Sequence, residues 1–363
     1  MHPLINWLLT EGRLCSSIPK LLQRIGPLLQ AETDCSRIWL GTTLLHPQAA
    51  GYSWLWEDGT IKKQSYSYTY QAELELIDSP ARRLRLGMEQ LRCRIPDDEG
   101  MRDVKGLFER GFVDFYACSI FFKGEWGGGI TYSSRGPFDD VHLELFRSIN
   151  SALSAVVEAL VGTLVTSKLL ETYLGTDAGR RVFLGQVKRG DGESLRAVIW
   201  FSDIRGFTKM SEQLELEELL SVINDAFEQV VAAVESNGGE VLKFIGDGAL
   251  AIFPCKDSDL AACTSARKAA IQLLDNLETV QIGVGLHLGT VNYGNIGAPE
   301  RLDFTVIGPD VNLAARVESQ TAQFDKKILA TSTLTSSGKW EEVARVNVKG
   351  VAEKITLYSP IID

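Results

Sequence analysis

The stretch Ala197-Val-Ile-Trp-Phe-Ser-Asp203-Ile-Arg-Gly-Phe-Thr208 decides how the second half of this chain folds. It begins as an unbroken apolar run with β-branched and aromatic residues, a pattern that predicts a buried strand. The run ends at Asp203, and Gly206 follows three residues later. The strand is therefore expected to deliver one carboxylate into a loop.

A second stretch, Glu240-Val-Leu-Lys243-Phe-Ile-Gly-Asp247-Gly-Ala-Leu-Ala-Ile-Phe253, predicts a hairpin with Gly246-Asp247-Gly248 at its tip. The two glycines are expected to supply the positive φ that a tight turn requires. Either aspartate alone is as well explained as an ordinary turn residue. On neighbouring strands, however, two like charges held close together need cations between them. The pair therefore predicts a two-metal site of the kind used for phosphoryl transfer.

Composition limits the class of protein. The chain has 363 residues, 45% of them hydrophobic, which is enough for two domains with separate cores. Its net charge of −10 argues against a nucleic-acid partner, because such a partner requires a basic face. The six cysteines and four histidines lack CxxC and HExxH spacing, so no zinc or haem attachment site is predicted. Thiols spread in this way fit a reducing compartment, and we expect a cytoplasmic protein.

No membrane segment is expected. Residues 1–9 lack a basic region and a small-residue cleavage site, so they do not predict a signal peptide. The stretch Ile149–Leu170 is long and apolar, but it carries Glu158, Lys168 and several hydroxyl groups.

Residues 1–140 alternate between helical and strand patterns. Leu4–Gln30 predicts a helix in two pieces, broken near Ser16–Pro19. Strands are predicted at 37–43, 51–56, 65–70, 114–122 and 127–132. This α/β layout resembles a GAF-type sensor domain, which implies an unknown small-molecule or protein signal. Aromatic residues on these strands are expected to be core, with a ligand pocket as the alternative.

A long helix is predicted from Asp139. Its apolar residues keep a 3,4 spacing at Phe146, Ile149, Leu153, Val156 and Leu160. That spacing predicts a two-helix stalk between paired sensors and paired catalytic domains, with packing on its own domain as the alternative. The polar, glycine-rich residues 171–193 then mark a linker. The expected domains are 1–140, a stalk and linker at 141–194, and 195–363.

The second half predicts an α+β domain. The expected order is strand 195–203, helix 212–236, hairpin 240–253, helix 258–278 and strand 280–290, then strand 301–307 and helix 309–322, and strands near 327–331, 343–348 and 354–359. The first six elements form a ferredoxin-like βαββαβ series, to which the later strands are extra. Such a series gives an antiparallel sheet with both helices on one face.

Residues 190–360 resemble a class III nucleotidyl cyclase catalytic domain. Five separated motifs carry the resemblance in order and spacing: Phe201-Ser-Asp203-Ile-Arg-Gly-Phe-Thr208, Leu242-Lys243-Phe-Ile-Gly-Asp247-Gly, Gly283-Val-Gly-Leu-His-Leu-Gly-Thr-Val, Gly294-Asn-Ile-Gly297 and Phe304-Thr305-Val-Ile-Gly-Pro-Asp-Val-Asn312-Leu-Ala-Ala-Arg316. Any one alone is weak, whereas a chance match of all five is very improbable. His287, inside the third motif, is expected to be structural.

The resemblance implies a metal site and a phosphate site. Asp203, Asp247 and the carbonyl of Ile204 match the ligands of two Mg²⁺ or Mn²⁺ ions that bridge a triphosphate. Lys349 matches a triphosphate-binding lysine. The loop of Arg205, Gly206, Phe207 and Thr208 opens a helix, so its backbone N–H groups can turn towards phosphate, although a plain helix start explains it too.

The resemblance also implies residues for the base and for catalysis. Lys243 and Thr305 match the two positions that read the base, and threonine there resembles an adenylate cyclase subgroup that includes bicarbonate-responsive enzymes. Asn312 and Arg316 are four apart and share a helix face. In the family, the asparagine orients the ribose and the arginine stabilises charge on the α-phosphate.

The implied activity is the conversion of ATP to 3′,5′-cyclic AMP and pyrophosphate, controlled by the N-terminal domain. Since the family takes its metal ligands from one protomer and its base-reading residues from the other, a head-to-tail homodimer with two sites is expected. Two alternatives remain open: a cyclase for GTP or a pyrimidine nucleotide, and an inactive nucleotide-binding regulatory protein.

Overall fold

The computed structural model describes residues 2–44, 46, 49–94, 101–277, 280–349 and 353–362, without the side chains of residues 74, 75, 102 and 103. The chain divides into two compact units, Met1–Leu169 and Leu170–Asp363. The expected stalk and linker at 141–194 is therefore not a separate piece, because the boundary falls inside it.

The first unit is an α/β arrangement around one sheet. Its elements are α1 (Pro3–Thr10), α2 (Ile18–Thr33), β1 (Cys35–Thr43), β2 (Gly51–Glu57), β3 (Thr60–Tyr66), α3 (Tyr68–Glu75), α4 (Pro80–Arg85), β4 (Gln90–Arg94), α5 (Arg102–Phe108), β5 (Asp114–Phe122), β6 (Glu125–Ser134) and most of α6 (Asp140–Leu174). The strands lie in the order β3-β2-β1-β6-β5-β4, and every neighbouring pair is antiparallel.

One face of this sheet packs on helices. Ile38 and Leu40 of β1 and Trp54 and Trp56 of β2 are buried in one core with residues of α1, α2 and α6. The alternation of a strand sends the intervening residues to the other face. The predicted two-piece helix is confirmed as α1 and α2, and Ser17 caps α2 by accepting a hydrogen bond from the N–H of Lys20.

The predicted strand 65–70 is wrong in its second half. β3 ends at Tyr66 and α3 begins at Tyr68. The cause is Ser67, whose hydroxyl accepts a hydrogen bond from the N–H of Tyr70 while its carbonyl accepts one from the N–H of Gln71. These contacts start a helix where the alternation of tyrosines suggested a strand. Strand β4 and helices α4 and α5 were not predicted.

The stalk interpretation of α6 is also wrong over most of the predicted repeat. Phe146, Ile149 and Leu153 are fully buried in the core of the first unit, and Val156 joins them there. The 3,4 spacing thus marks a helix that packs on its own domain, the alternative considered above. Of the helices in the described ranges, α6 is the one that is long and apolar enough to cross a membrane, judged by length and composition alone.

The second unit is built on a larger sheet. Its elements are α7 (Thr176–Phe183), β7 (Gly192–Ile204), α8 (Phe207–Gln213), α9 (Leu216–Ser236), β8 (Glu240–Ile245), β9 (Gly248–Pro254), α10 (Asp259–Asn276), β10 (Ile282–Ala298), β11 (Arg301–Ile307), α11 (Pro309–Gln323), β12 (Ile328–Thr331), β13 (Trp340–Val346) and β14 (Ile355–Pro360). The order is β13-β14-β12-β10-β7-β9-β8, with β11 paired to β10. The predicted βαββαβ series is confirmed, although the helix expected at 212–236 is two helices, α8 and α9.

The four strands of the βαββαβ series pair antiparallel, and its two long helices α9 and α10 pack on one face, as expected. The complete sheet is mixed, because the later strand β12 runs parallel to β10. Helices α7 and α11, outside the series, cover the other face. Val198 and Trp200 of β7 pack with α9 and α10, whereas Ala197 and Ile199 pack with α7 and α11. The unbroken apolar run of β7 fits a central strand buried on both sides.

The predicted linker contains an ordered helix. Ala178 of α7 is fully buried in the second unit, and the Oε1 atom of Glu240 accepts a hydrogen bond from the N–H of Asp177 at 2.9 Å. A carboxylate at the first turn of a helix neutralises its unpaired N–H groups. The polar sequence at 176–183 therefore belongs to the second unit.

Candidate active site

The two predicted carboxylates lie together. Asp203 is the penultimate residue of β7 and pairs with Gly248, the first residue of β9, and Asp247 directly precedes that glycine. Gly246 takes a positive φ of 63°, as predicted. Gly248 does not take a positive φ, and glycine is needed at this position for a different reason. A β-carbon there would lie 3.0 Å from Oδ1 of Asp203 and 2.7 Å from the carbonyl oxygen of Ser202.

The pair is electrostatically strained in the absence of a cation. Burial of the carboxyl, together with the charge and a hydrogen bond of Asp247, raises the pKa of Asp203 from 3.8 to about 6. Asp203 nevertheless remains accessible to solvent as a residue. The expectation that two like charges meet at these strand ends is confirmed.

A third carboxyl, that of Glu318, adds to this field, and the sequence did not reveal it. Glu318 lies on α11 where the helix crosses β10, and a β-carbon at Gly285 would lie 2.3 Å from its backbone nitrogen. A β-carbon at Gly283, the register partner of Asp203, would lie 3.0 Å from Oε1 of Glu318. Burial, followed by the charge of Asp203, raises the pKa of Glu318 to about 7. Glycines at alternate positions of β10 were the available signal, since they permit a helix to approach closely.

The loop after β7 divides into two parts. Gly206 adopts the left-handed conformation and caps α8 without a side chain, so the first N–H groups of α8, from Phe207 and Thr208, face outward from the helix start. Arg205 differs from the expectation that it binds phosphate. Its N–H donates to the carbonyl of Gln281, and its guanidinium donates to the carbonyls of Thr321 and Lys326. Arg205 thus holds α11 in place.

The base-reading positions carry a partner that the sequence analysis missed. The Nζ atom of Lys243 on β8 donates to Oδ2 of Asp303 on β11 at 2.5 Å. Thr305 lies two residues further along β11, on the same side of the strand. It is 6% exposed, and within the described residues its Oγ1 atom has no hydrogen-bond partner. Lys243 and Asp303 are thus paired across β8 and β11, and strand alternation puts the free hydroxyl of Thr305 on the same side of β11 as Asp303.

Helix α11 presents Asn312 and Arg316 as predicted. It begins at Pro309, and Oδ2 of Asp310 accepts a hydrogen bond from the N–H of Thr290 at 2.7 Å, which fixes the helix start to β10. Asn312 is exposed and Arg316 is partly buried. The guanidinium of Arg316 donates to the backbone carbonyl of Lys349.

Lys349 itself is exposed, while its neighbour Gly350 lies outside the described residues. His287 has the structural role expected of it. It is 7% exposed, its Nδ1 atom lies 2.8 Å from the hydroxyl of Thr331, and burial lowers its pKa.

Residues 193–359 match the adenylate and guanylate cyclase catalytic domain. This range confirms the resemblance noted for residues 190–360. The chain is 33% identical over 190 residues to the adenylate cyclase of Anabaena cylindrica, a match that covers 47% of this chain and 38% of that protein. It is 32% identical over 189 residues to the terminal-differentiation specific adenylate cyclase of Dictyostelium discoideum, covering 47% and 9%. The solved adenylyl cyclase CyaB from P. aeruginosa aligns with 27% identity and a TM-score of 0.41, over 48% of this chain and 97% of that one. The chain thus spans less than two fifths of either curated relative.

Class III cyclases generally use divalent metal ions, and the donors of this cyclase domain fit such ions. Asp203 and Asp247 offer carboxylate oxygens, which hard cations such as Mg²⁺ and Mn²⁺ prefer. Ile204 is 3% exposed and its side chain packs in the core, so only its backbone carbonyl has the chemistry of a metal ligand. Within the described residues, no group of three or more histidine, cysteine or acidic side chains is placed to hold a metal ion.

The raised pKa of Asp203 predicts a pH-dependent instability of the metal-free protein. Since the folded-state value, about 6, lies above the ordinary 3.8, the folded chain holds this proton more tightly than the unfolded chain. The resulting loss of stability is absent below pH 4 and complete above pH 6. Asp203→Asn should therefore melt higher than the parent protein in EDTA at pH 7.5, by roughly 2–4 °C for about 1 kcal/mol after solvent screening.

The two proteins should melt alike at pH 4. Thermal unfolding across that range measures the difference, with Asp225→Asn on the exposed surface of α9 as the matched control. A gain in melting temperature that is the same at pH 4 and pH 7.5 would contradict the assignment.

The close approach at Gly248 predicts a second outcome. A methyl group there must displace Asp203 or the β7 backbone, because it would lie 3.0 Å from the carboxylate oxygen. Gly248→Ala should weaken the binding of Mn²⁺ to the protein by about tenfold. Gly162→Ala, at an exposed position of α6 where nothing lies within 4 Å of the added β-carbon, is the control for a general effect of alanine. Equal metal dependence in both variants would show that the aspartates tolerate the shift.

Proposed function

We propose that this chain is an adenylate cyclase, which converts ATP to 3′,5′-cyclic AMP and pyrophosphate. The observation that carries the choice of ATP is the group of Lys243, Asp303 and the free hydroxyl of Thr305. Adenine presents an acceptor at N1 and a donor at N6. Lys243 would donate to N1, and the Thr305 hydroxyl would accept from N6 and lose its buried, unpaired state.

The residues around the aspartate pair suit the chemistry of ring closure. The ribose 3′-oxygen forms a bond to the α-phosphorus, its proton is lost, and the bond from that phosphorus to the bridging oxygen of pyrophosphate breaks. Bound divalent cations would lower the pKa of the hydroxyl and neutralise the leaving group. Asp203, Asp247 and the Ile204 carbonyl would hold those cations. The N–H groups of Phe207 and Thr208 would donate to phosphate oxygens.

Helix α11 supplies the remaining roles. Asn312 would orient the ribose by hydrogen bonding, and Arg316 would exchange the Lys349 carbonyl for the charge that develops on the α-phosphate. Lys349, exposed beside it, would bind the triphosphate. A backbone carbonyl is a weaker partner for guanidinium than a phosphate, so the exchange favours the bound state.

A head-to-tail homodimer would bring the two sets of residues together. Among the described residues, no hydrogen bond or ion pair joins Asp203 or Asp247 to Lys243, Asn312 or Arg316. This separation supports a site in which one protomer supplies the aspartates and the other supplies the base-reading residues and the arginine. Such a dimer has two equivalent sites.

Complementation tests this geometry. Asp203→Ala and Arg316→Ala should each be inactive as homodimers while remaining folded. A mixed dimer places both lesions in one site and leaves the other intact. After subunit exchange of an equal mixture, the release of pyrophosphate should recover to about a quarter of the parent rate, because half the dimers are mixed and each has one good site. Exchange demonstrated by fluorescence transfer, without any return of activity, would refute the shared site.

Asp303 favours GTP as the second candidate substrate. Guanine presents an acceptor at O6 and donors at N1 and N2, so a lysine donor beside a carboxylate acceptor also suits its edge.

The third possibility is an inactive nucleotide-binding protein, which would form no cyclic product from any nucleotide.

Base specificity is decided by kcat/KM for all four nucleoside triphosphates in three proteins. We expect the parent to prefer ATP and Thr305→Val to lose about tenfold in kcat/KM for ATP, because the isosteric valine cannot accept from N6. Asp303→Asn should keep the preference for ATP. A parent that prefers GTP, with turnover abolished by Asp303→Asn, would establish the second candidate instead.

The first unit would regulate this activity as a sensor, and the GAF-like assignment remains a prediction. We place the chain in the cytoplasm because its six cysteines are unclustered in sequence, as in proteins of a reducing compartment.

A further inference from the structure

Helix α11 packs closely against one face of β10. Alternate residues of a strand point to the same face, and the row that meets α11 is Gly283, Gly285, His287 and Gly289. A β-carbon at Gly285 would lie 2.3 Å from the backbone nitrogen of Glu318, and one at Gly289 would lie 2.3 Å from Oδ2 of Asp310. Since its three companions are glycines, His287 is the one member of the row with a side chain between strand and helix.

Asp310, the second residue of α11, is held to β10 through both oxygens of its carboxylate. Oδ2 accepts a hydrogen bond from the N–H of Thr290 at 2.7 Å. Oδ1 lies 3.5 Å from Nε2 of His287, which is long for a hydrogen bond but close enough for a carboxylate to attract an N–H group. A carboxylate accepts and does not donate, so this contact is favourable when Nε2 carries a proton.

The other nitrogen of the His287 ring belongs to a chain of hydroxyl groups. Nδ1 lies 2.8 Å from the hydroxyl of Thr331, which lies 2.8 Å from the hydroxyl of Thr333. The Thr333 oxygen accepts from the N–H of Leu288 at 3.2 Å. With the proton on Nε2, Nδ1 accepts from Thr331, and Thr331 accepts from Thr333. Every bond of the chain then joins a donor to an acceptor.

The His287 ring is expected to be neutral at pH 7.5. The residue is 7% exposed, and burial is the largest effect that lowers its pKa. The carboxylate of Asp310 opposes this lowering, whereas the positive charge of Arg196 on β7 adds to it. A neutral imidazole has one N–H, and the contact with Asp310 places it on Nε2.

We propose that His287, with its proton on Nε2, is a positioning residue that fixes Asp310 and thereby the start of α11. Asp310 comes two residues before Asn312 and six before Arg316. At 1.5 Å per residue, Arg316 lies about 9 Å further along the helix axis. The consequence for catalysis rests on the proposed function, whereas the state of the ring and its hold on Asp310 do not.

The start of α11 matters because its far end is already fixed. Arg205 donates to the carbonyl of Thr321, near the last turn of the helix. If the start is released while this end stays in place, the helix tilts, and Asn312 and Arg316 move with it. A displacement of about 1 Å from the productive geometry can slow a reaction about a hundredfold.

Nitrogen NMR of the parent protein tests the state of the ring without any variant and without turnover. In protein labelled with nitrogen-15 histidine, chemical shifts distinguish a ring nitrogen that carries a proton from one that does not. We expect His287 to be neutral at pH 7.5 with its proton on Nε2, and the loss of signals in His287→Gln assigns them. A proton on Nδ1, a mixture of the two tautomers or a charged ring would each overturn the proposal.

Two amide variants separate the contact with Asp310 from the contact with Thr331. The longer side chain of His287→Gln places an amide N–H near the position of Nε2, and the shorter one of His287→Asn places an amide oxygen near that of Nδ1. We expect His287→Asn to lower kcat for ATP by about tenfold with KM changed by less than about twofold, and His287→Gln to stay within about threefold of the parent. Equal losses in both variants would come from the missing ring and would contradict the positioning role.

Hydrogen exchange gives a second readout that does not depend on catalysis. When Asp310 loses its orientation, the N–H of Thr290 loses its acceptor, so its exchange should become roughly tenfold faster in His287→Asn but not in His287→Gln. The same two substitutions at His142, which lies 3.3 Å from Asp139 in the first unit, are the controls and should change neither this exchange nor kcat. A parent protein without turnover would refute the proposed function alone. Unchanged exchange at Thr290 in His287→Asn would refute the role of His287.

Discussion

The repulsion between the carboxylates of Asp203 and Asp247 is the constraint on which the second unit depends. Central strand β7 is buried on both faces, so its end cannot move to relieve the repulsion. The hairpin of β8 and β9 holds the second carboxylate against the first, and register fixes Asp203 opposite Gly248. The fold thereby holds two carboxylates close together that would move apart if both were free in water. A cation between the two carboxylates removes the strain, so the strain prepares the site for metal.

Glycines make this arrangement possible by letting other groups approach. Gly248 admits the carboxylate of Asp203, and Gly285 admits the backbone of α11 at Glu318. The approach of α11 brings a third carboxyl into the same field and also sets the position of Asn312 and Arg316 on its other side. Arg205 counteracts part of the repulsion, since its charge lowers the pKa of Glu318 while its guanidinium holds the end of α11. The same close contacts therefore determine both the electrostatics and the packing of this region.

Local pattern was enough for much of the fold. The strands predicted at 114–122 and 301–307 match β5 and β11 in both bounds, because each is a compact apolar or alternating run between turn residues. The Gly246-Asp247 turn was predictable for the same reason. The failures have two different causes, one local and one long-range. Ser67 starts a helix through its own hydrogen bonds. The apolar spacing in α6 predicts a buried helix face but not the surface against which that face packs.

Residues of the candidate site could be predicted from the sequence where they lie in a recognisable motif. Asp203, Asp247, Asn312 and Arg316 lie in short, dense motifs, whereas Asp303 and Glu318 are single acids whose role depends on tertiary contacts. Register with β10 and the approach of α11 give them neighbours that no sequence spacing indicates. Arg205 is the opposite case. It lies inside a strong motif that predicted a phosphate contact, but its guanidinium donates to backbone carbonyls of the same chain.

The second unit holds groups of like charge together on a rigid sheet. The carboxylates of Asp203 and Asp247 lie close enough at the end of β7 for Asp247 to raise the pKa of Asp203, after the larger effect of burial. A rigid sheet can sustain this because its strands are fixed by ladders of hydrogen bonds rather than by the charges themselves. Stability that folding gives up at such a place returns when a ligand of the opposite charge binds. A site built in this way gains specificity for charge at the cost of stability when it is empty.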